Sequence, residues 1–135
     1  MEAYLTFDGN AAEALAFYAQ ALGGKVVHSM SYGDSPACAD MPGAAKDKIM
    51  HAMLEARGHR LMDSDAPPGH PFAGYKGFSL SVQAKDVAEG EKLFQALSVG
   101  SKITMPFAPT FWSTGFGMLE DKFGVSWMVN VDQAP

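Results

Sequence analysis

Apolar positions follow the period of a helix in two segments of the chain. The first is 11–22, where apolar side chains recur every three or four residues and Gly23 can end the helix in a left-handed conformation. The second is Val87–Leu97. Each segment is preceded by a short polar side chain suited to capping a helix, with a glutamate three residues later, as in a capping box. The predicted N-caps are Asn10 and Asp86.

Strands are predicted around each helix from alternating apolar and polar residues and from the turns that separate them. One strand precedes each helix and three follow it, so the order βαβββ occurs twice, over about 1–65 and about 76–133. The simplest account is an α+β fold of two tandem βαβββ modules in a single domain, 1–135. The predicted strands are Ala3–Phe7, Lys25–Tyr32, Ile49–Ala56 and His59–Ser64 in the first module, and Gly77–Val82, Lys102–Phe107, Phe111–Glu120 and Val125–Val131 in the second.

Two segments lack a clear period. Asp34–Lys48 is rich in Ala, Pro, Gly and Asp and is long for a loop inside a compact domain, so we interpret it as a lid or binding loop. Asp65–Tyr75 is rich in proline and is the most linker-like part of the chain. It falls between the two predicted modules.

Charge and composition narrow the class of partner. The chain has 15 Asp+Glu against 10 Lys+Arg and no basic run, so we expect neither nucleic acid nor an anionic membrane as a partner. No segment approaches the ~18 consecutive apolar residues of a membrane span, and Met1–Tyr4 does not resemble the start of a signal peptide. The single cysteine, Cys38, excludes an internal disulfide. We therefore expect a soluble, cytoplasmic protein.

Several sequence strings, together with the repeated module order, carry a family resemblance that covers essentially the whole chain. The chain resembles the PhnB-like branch of the vicinal oxygen chelate superfamily, which includes glyoxalases, bleomycin-resistance proteins and extradiol dioxygenases. Members of this branch often carry the automatic label 3-demethylubiquinone-9 3-methyltransferase. The resemblance implies paired modules, each a curved sheet forming half of a cup, usually in a homodimer. The strings are Phe7-Asp8-Gly9-Asn10, His51-Ala52, 61–66 (LMDSDA), Gly77-Phe78, Phe111-Trp112 through Phe116-Gly117, and 121–130 (DKFGVSWMVN).

The resemblance also implies where a metal would be bound. Metal-using members place His and Glu ligands on the first and fourth strands of each module, and these four positions carry over to Ala3, Met62, Gly77 and Met128. Alanine and glycine have no donor atom, and a thioether is too soft for the hard ions of this chemistry. We therefore expect neither the usual metal site nor a cofactor.

Alternation along the strands divides the side chains between the two faces of each sheet. The cup-facing set mixes polar side chains with methionine, and the opposite set is apolar and suited to packing under a helix. The predicted cup-facing residues are His51, Met53, Glu55, Arg60, Met62, Ser64, Gly77, Ser79, Ser81, Ser126, Met128 and Asn130. The predicted helix-facing residues are Met50, Ala52, Leu54, Ala56, Leu61, Phe78, Leu80, Val82, Trp127, Val129 and Val131.

An amphipathic cup suits a small organic molecule with a few polar atoms, and we expect such a ligand. Phe111, Trp112 and Phe116 are expected either to form an aromatic wall for a planar ligand or to pack in the core or a dimer interface. The predicted ligand-binding residues are His51, Met62, Ser64, Ser79, Trp112, Phe116, Met128 and Asn130.

The alternative is a lyase or isomerase of glyoxalase type. His51 and Glu55 share one strand face and are the candidate catalytic pair, with a non-standard metal held by His51, Glu55 or Asp63. A packed histidine and a solvated glutamate would give the same sequence. Asp63–Asp65 is expected either to bind an amine or hydroxyl of a substrate or to cap the start of the linker. Methyl transfer is disfavoured because the chain has no G-x-G-x-G string.

Overall fold

The computed structural model describes residues 1–34, 47–67 and 72–131. The chain divides into two compact units, Met1–Ala73 and Gly74–Pro135, called unit 1 and unit 2 below. Each unit contains one four-stranded mixed sheet and one long helix in the order βαβββ, so the predicted α+β fold of two such modules is confirmed.

In unit 1 the strands are arranged in the order β1-β4-β3-β2. The first strand runs parallel to β4, and the remaining neighbours are antiparallel. A turn of 3-10 helix, Tyr32–Asp34, follows β2. The elements are β1 Ala3–Phe7, α1 Ala11–Leu22, β2 Lys25–Ser31, β3 Ile49–Ala56 and β4 His59–Asp65.

Unit 2 repeats this topology with the order β5-β8-β7-β6, and again only the first pair is parallel. Three strands begin later than predicted, one of them, β8, by a single residue. Strand β5 begins at Leu80, after Gly77 takes a left-handed conformation with φ of 80°, and β7 begins at Phe116. The elements are β5 Leu80–Ala84, α2 Val87–Leu97, β6 Lys102–Ala108, β7 Phe116–Glu120 and β8 Ser126–Val131.

The start of α1 is capped from a distant strand. Asn10 occupies the N-cap position, as predicted, but its side chain does not make the expected hydrogen bond to the helix. The carboxylate of Asp65 accepts instead from the backbone N–H of Ala11 at 2.9 Å and from that of Ile49 at 2.8 Å. Asp65 therefore fixes α1 and β3 to the end of β4, and its predicted capping role is at this helix rather than at the linker.

The start of α2 follows the sequence prediction. Asp86 accepts from the backbone N–H of Glu89 at 2.8 Å, and the Glu89 carboxylate accepts from that of Lys85 at 3.1 Å. This is a variant of the capping box in which the reciprocal bond goes to the residue before the N-cap. The helix lies close to its sheet at Gly90, where an added Cβ would meet the ring of Phe107 at 2.7 Å.

Each sheet buries the face that its helix covers. Alternation places apolar side chains there on β1, β3, β4, β5, β7 and β8, as predicted for most positions. Four predicted positions are not buried, and two of them, Ala56 and Leu80, are half-buried at strand ends. Ile49 is buried and Met50 only half-buried, because a bulge shifts the register between β2 and β3 at this end. Phe78 is 44% exposed because it precedes β5. The buried hydrophobic strand residues are Leu5, Phe7, Ile49, Ala52, Leu54, Leu61, Val82, Ala84, Leu119, Trp127, Val129 and Val131.

The turn between β7 and β8 is organised by one buried carboxylate. Asp121 accepts from the backbone N–H groups of Phe123 and Val125 at 2.8 and 3.0 Å. It also accepts from the indole N–H of Trp127 at 2.8 Å. Trp127 is 3% exposed, which agrees with its predicted place in the core.

Neither of the described helices, of 12 and 11 residues, is long and apolar enough to cross a membrane.

Candidate functional site

The face of each sheet opposite its helix is called the open face below. On the open face of unit 1 one row of side chains crosses all four strands. Register places Tyr4 beside Met62, Met62 beside Met53, and Met53 beside His28. Tyr4 is 48% exposed and the two methionines are half-buried, so this row presents thioethers and rings to whatever approaches the face.

His51 lies next to this row on β3 and is held by its neighbours. Its Nδ1 is 3.1 Å from the hydroxyl oxygen of Tyr4, and the two rings stack with centroids 5.6 Å apart. The ring of His28 lies on the other side, 5.8 Å from that of His51. His51 is therefore oriented by aromatic neighbours on the predicted cup-facing side.

The open face of unit 2 carries the corresponding row with different chemistry. Register places Ser81 beside Met128, Met128 beside Met118, and Met118 beside Met105. Methionines on three neighbouring strands of unit 2 thus occupy the positions of one histidine and two methionines in unit 1. Methionine adapts its shape readily, so this row suits an apolar portion of a ligand.

A polar chain runs beside the methionine row of unit 2. The side-chain N–H of Asn130 donates to Gln83 at 2.9 Å, and that of Gln83 donates to the Ser81 hydroxyl at 3.1 Å. The carbonyl oxygen Oδ1 of Asn130 is buried and has no hydrogen-bond partner among the described residues. Buried acceptors are almost always paired in folded proteins, so Oδ1 is an unsatisfied acceptor beside the open face.

Aromatic side chains extend from the same face. Phe116 lies beside Asn130 in the register, and its ring meets that of Trp112 edge to face at 5.3 Å. Phe111 continues the series at 4.7 Å from Trp112 and is 94% exposed. These three residues form a continuous aromatic strip outside the buried core, so a ligand wall and a dimer interface remain as its two expected roles.

The strand register corrects two of the four positions where the superfamily binds metal. Tyr4, not Ala3, lies opposite Met62 and shares its face, and Ser81, not Gly77, lies opposite Met128. Two thioethers and two neutral hydroxyls do not suit a hard divalent ion. The donor set at these positions therefore does not fit the metal of the metal-using members.

The register also separates the residues of the alternative lyase site. His51 and Glu55 are four residues apart on one strand, which is about 13 Å at ~3.3 Å per residue, so they do not form a hydrogen-bonded pair. Asp63 pairs with the buried Ala52 and is itself fully buried on the helix-covered face. Of the three proposed ligands, only His51 and Glu55 therefore share a face.

Glu55 lies instead in a groove at the hairpin end of unit 1. The groove has a volume of about 520 Å³ and is lined by the end of α1, the start of β2 and the β3–β4 hairpin. Its charged residues are Lys25, Glu55, Arg57 and Arg60. Glu55 is the only predicted catalytic or ligand-binding residue among those that line it.

Asp63 is a strongly perturbed acid. It is fully buried, and neither carboxylate oxygen has a hydrogen-bond partner among the described residues. Burial first, and the negative charge of Asp65 second, raise the pKa of Asp63 to about 7. Its side chain lies under α1 and away from the open face, so it does not bind a ligand there.

Most of the site residues predicted from sequence lie on the open faces, and some residues of those faces were not predicted. Met62, Ser64, Met128 and Asn130 lie on the open faces, whereas Ser79 lies just before β5 begins. Tyr4 and Gln83 were missed, although each alternates with buried neighbours and this pattern was available. His28 was missed because β2 has no buried residue from which to assign its faces. The predicted lid falls largely on 35–46, which includes Cys38 and lies outside the described residues.

Two four-stranded sheets, each with the first and fourth strands parallel in a βαβββ unit, define a protein of the vicinal oxygen chelate superfamily. The sequence pattern of the family described as 3-demethylubiquinone-9 3-methyltransferase matches residues 1–130. The chain therefore belongs to this family and is a PhnB-like protein of the superfamily.

Its relatives agree with that assignment. Protein YjdN of Escherichia coli (strain K12) is 38% identical over 136 residues, covering 95% of this chain and 92% of YjdN. The crystal structure of protein PA1353 from Pseudomonas aeruginosa is 46% identical, with a TM-score of 0.90 and coverage of 99% and 98% of the two chains. The PhnB protein of Bacillus cereus is 28% identical, with a TM-score of 0.82 and coverage of 98% of each chain.

Proposed function

We propose that this chain binds a small organic molecule against the open faces of its sheets, without the metal site of the metal-using superfamily members. The observation that carries the proposal is the methionine row on each open face, half-buried and flanked by oriented polar groups. Such a surface combines adaptable apolar contact with a few fixed hydrogen-bonding groups, which is the composition of ligand sites.

The polar requirement of the ligand follows from Asn130. Its unpartnered Oδ1 is an acceptor, so the ligand carries a hydroxyl, amine or amide N–H that donates to it. The hydrogen-bonded chain to Gln83 and Ser81 holds the amide in place. The apolar part of the ligand lies over Met128, and a planar group packs against Phe116.

In unit 1, His51 lines the open face as a positioned polar group. Its contacts with Tyr4 and His28 support a binding role, and the distance to Glu55 removes the partner that a general-base pair needs. Methyl transfer is outside the proposal, because neither sheet is the doubly wound parallel sheet in which adenosyl donors generally bind.

We further propose that residues 1–135 form one domain and that the protein acts in the cytoplasm as a homodimer. The exposed ring of Phe111 supports a homodimer, since a large aromatic side chain that is 94% exposed favours contact with another surface. The strip formed by Phe111, Trp112 and Phe116 then contributes its inner part to the ligand and its outer part to the partner.

The test is a thermal-shift screen of small amphipathic molecules followed by calorimetric titration of the hits. A ligand present at 100 times its Kd stabilises the folded state by about 2.7 kcal/mol, which raises the Tm by roughly 10 °C at this size. Asn130→Ala is expected to weaken binding of the hit about tenfold, because one hydrogen bond is lost.

Glu55→Ala is the matched control, since Glu55 also lies on an open face but at the hairpin end. It is expected to leave the affinity unchanged. His51→Ala separates binding from catalysis: a small change in affinity agrees with a lining role, whereas loss of turnover with binding intact supports the lyase alternative. Equal effects of Asn130→Ala and Glu55→Ala, or no hit at all, would contradict the proposed site.

A further inference from the structure

Two imidazoles and a thioether belong to neighbouring positions on the open face of unit 1. His28 and Met53 are directly paired across β2 and β3, which places their Cβ atoms about 5 Å apart. His51 is two residues from Met53 on the same strand and face, and its ring centroid is 5.8 Å from that of His28. These three side chains come from adjacent strands of one rigid sheet.

The donor types in this cluster select a particular class of metal ion. Thioether sulfur is a soft, neutral donor that suits Cu(I), and imidazole binds copper well, whereas hard ions prefer carboxylate and water. No acidic side chain belongs to the cluster, which comprises His28, His51 and Met53. Its chemistry therefore favours a monovalent soft ion over Mg²⁺, Mn²⁺ or Ca²⁺.

The phenol of Tyr4 orients one of the imidazoles. Its oxygen is 3.1 Å from Nδ1 of His51, and in the tautomer whose Nδ1–H donates to that oxygen, Nε2 keeps its lone pair for a metal. Metal-binding histidines commonly have such a partner for the second nitrogen. Tyr4 acts here as a positioning residue and not as a ligand.

We propose that His28, His51 and Met53 form a binding site for Cu(I), with Met62 next in the same row as a fourth donor. Of these four residues, only Met62 occupies a position at which metal-using members of the superfamily bind their divalent ion. The inference does not rest on the proposed binding of an organic molecule, since it is tested with the ion alone.

The test uses Ag(I) as a redox-inert probe for Cu(I), titrated calorimetrically in chloride-free nitrate buffer. All proteins carry Cys38→Ser, because a thiol binds Ag(I) by itself. We expect one ion per chain, with shifts of the Met53 methyl resonance in spectra of methyl-labelled methionine. Met53→Leu conserves side-chain volume and is expected to weaken binding roughly 100-fold.

Met118→Leu is the matched control, because Met118 occupies the same place in the row of unit 2 without a histidine beside it. It is expected to leave the affinity within about twofold, and Tyr4→Phe is expected to weaken binding roughly tenfold while the fold is unchanged by circular dichroism. Equal weakening by Met53→Leu and Met118→Leu, or tighter binding of Zn²⁺ than of Ag(I), would overturn the site.

Discussion

The two units build the same βαβββ topology but begin their helices differently. In unit 1 the carboxylate that accepts from the first turn of α1 comes from Asp65, 54 residues from its Ala11 partner. In unit 2 the cap is Asp86, three residues before the N–H that it accepts. The start of α2 is thus specified locally, whereas the start of α1 depends on β4 being already in place.

The helix-covered faces of the two units also differ, in the number of carboxyl groups that they bury. Aligning Met62 with Met128, which occupy equivalent rows, sets Asp63 against Val129 and Asp65 against Val131. Unit 1 therefore buries two carboxyl groups where unit 2 buries two valines. One of them, Asp65, is fully used as a structural acceptor, and the other is unpartnered. One fold thus accommodates both an apolar strand and a strand that carries carboxyl groups beneath its helix, at different energetic cost.

The largest effect on stability is expected from replacing Asp63 of unit 1 with valine, the residue at the equivalent position of unit 2. The pKa of Asp63 is raised from 3.8 to about 7, so its contribution to stability is fully present below pH 4 and is lost as the pH rises through 7. At pH 8 Asp63→Val is expected to raise the free energy of unfolding by on the order of 4 kcal/mol, from about three pK units of 1.36 kcal/mol each.

Urea unfolding of both proteins at pH 4, 6 and 8 measures this effect. The wild-type stability is expected to fall relative to the variant as the pH rises. Parallel pH profiles for the two proteins would show that Asp63 does not titrate between 4 and 8.

The second largest effect on stability is expected at the helix caps, where the distant cap of α1 can be compared with the local cap of α2. Asp65→Ala leaves the buried N–H groups of Ala11 and Ile49 without an acceptor, at about 1–3 kcal/mol each, so we expect a loss of roughly 3 kcal/mol. Asp86→Ala removes one exposed cap bond and is expected to cost about 1 kcal/mol. Measurement near pH 5 keeps Asp63 protonated in both proteins. Similar losses would mean that the distant cap is no more important than the local one.

A third effect tests the buried carboxylate of unit 2, which differs from Asp63 in being well hydrogen-bonded. Trp127→Phe removes the indole donor to Asp121, and hydrogen bonds to charged groups contribute about 1.5–3 kcal/mol. We expect a loss of roughly 2 kcal/mol by urea unfolding. Trp112→Phe is the control, since Trp112 is 43% exposed, and it should change stability by less than about 0.5 kcal/mol.

The smallest effect on stability is expected from Phe111→Ser. Its exposed ring contributes little to folding, so the free energy of unfolding should change by less than about 0.5 kcal/mol. The proposed homodimer should nevertheless weaken, which analytical ultracentrifugation over a range of concentrations would detect. An unchanged dimer constant would place the interface elsewhere.

Local sequence patterns were enough to predict most elements of this fold. The bounds of β1, α1, β3 and α2 agree with the spacing of apolar residues, and the turn at Arg57-Gly58 between β3 and β4 was visible in the chain. The alternation along β8 correctly separated Met128 and Asn130 from the buried valines. These features depend on residues that are close in sequence.

What could not be predicted depends on pairing between distant strands. The register of β1 against β4 decides that Tyr4, and not Ala3, shares a face with Met62, and no local pattern specifies that register. The use of Asp65 as the cap of α1, and the meeting of His28 with His51, arise in the same way. The candidate site is therefore less accessible from sequence than the elements that carry it.

The burial of Trp127 against Asp121 gives this protein a built-in optical probe. The chain has two tryptophans, and both belong to unit 2, one enclosed and hydrogen-bonded and one partly in contact with solvent. Emission excited at tryptophan wavelengths therefore follows the denaturation of unit 2 alone, whereas circular dichroism follows both units. Comparing the two transitions in one sample measures whether the halves of this chain melt as one cooperative body, with no label and no substitution.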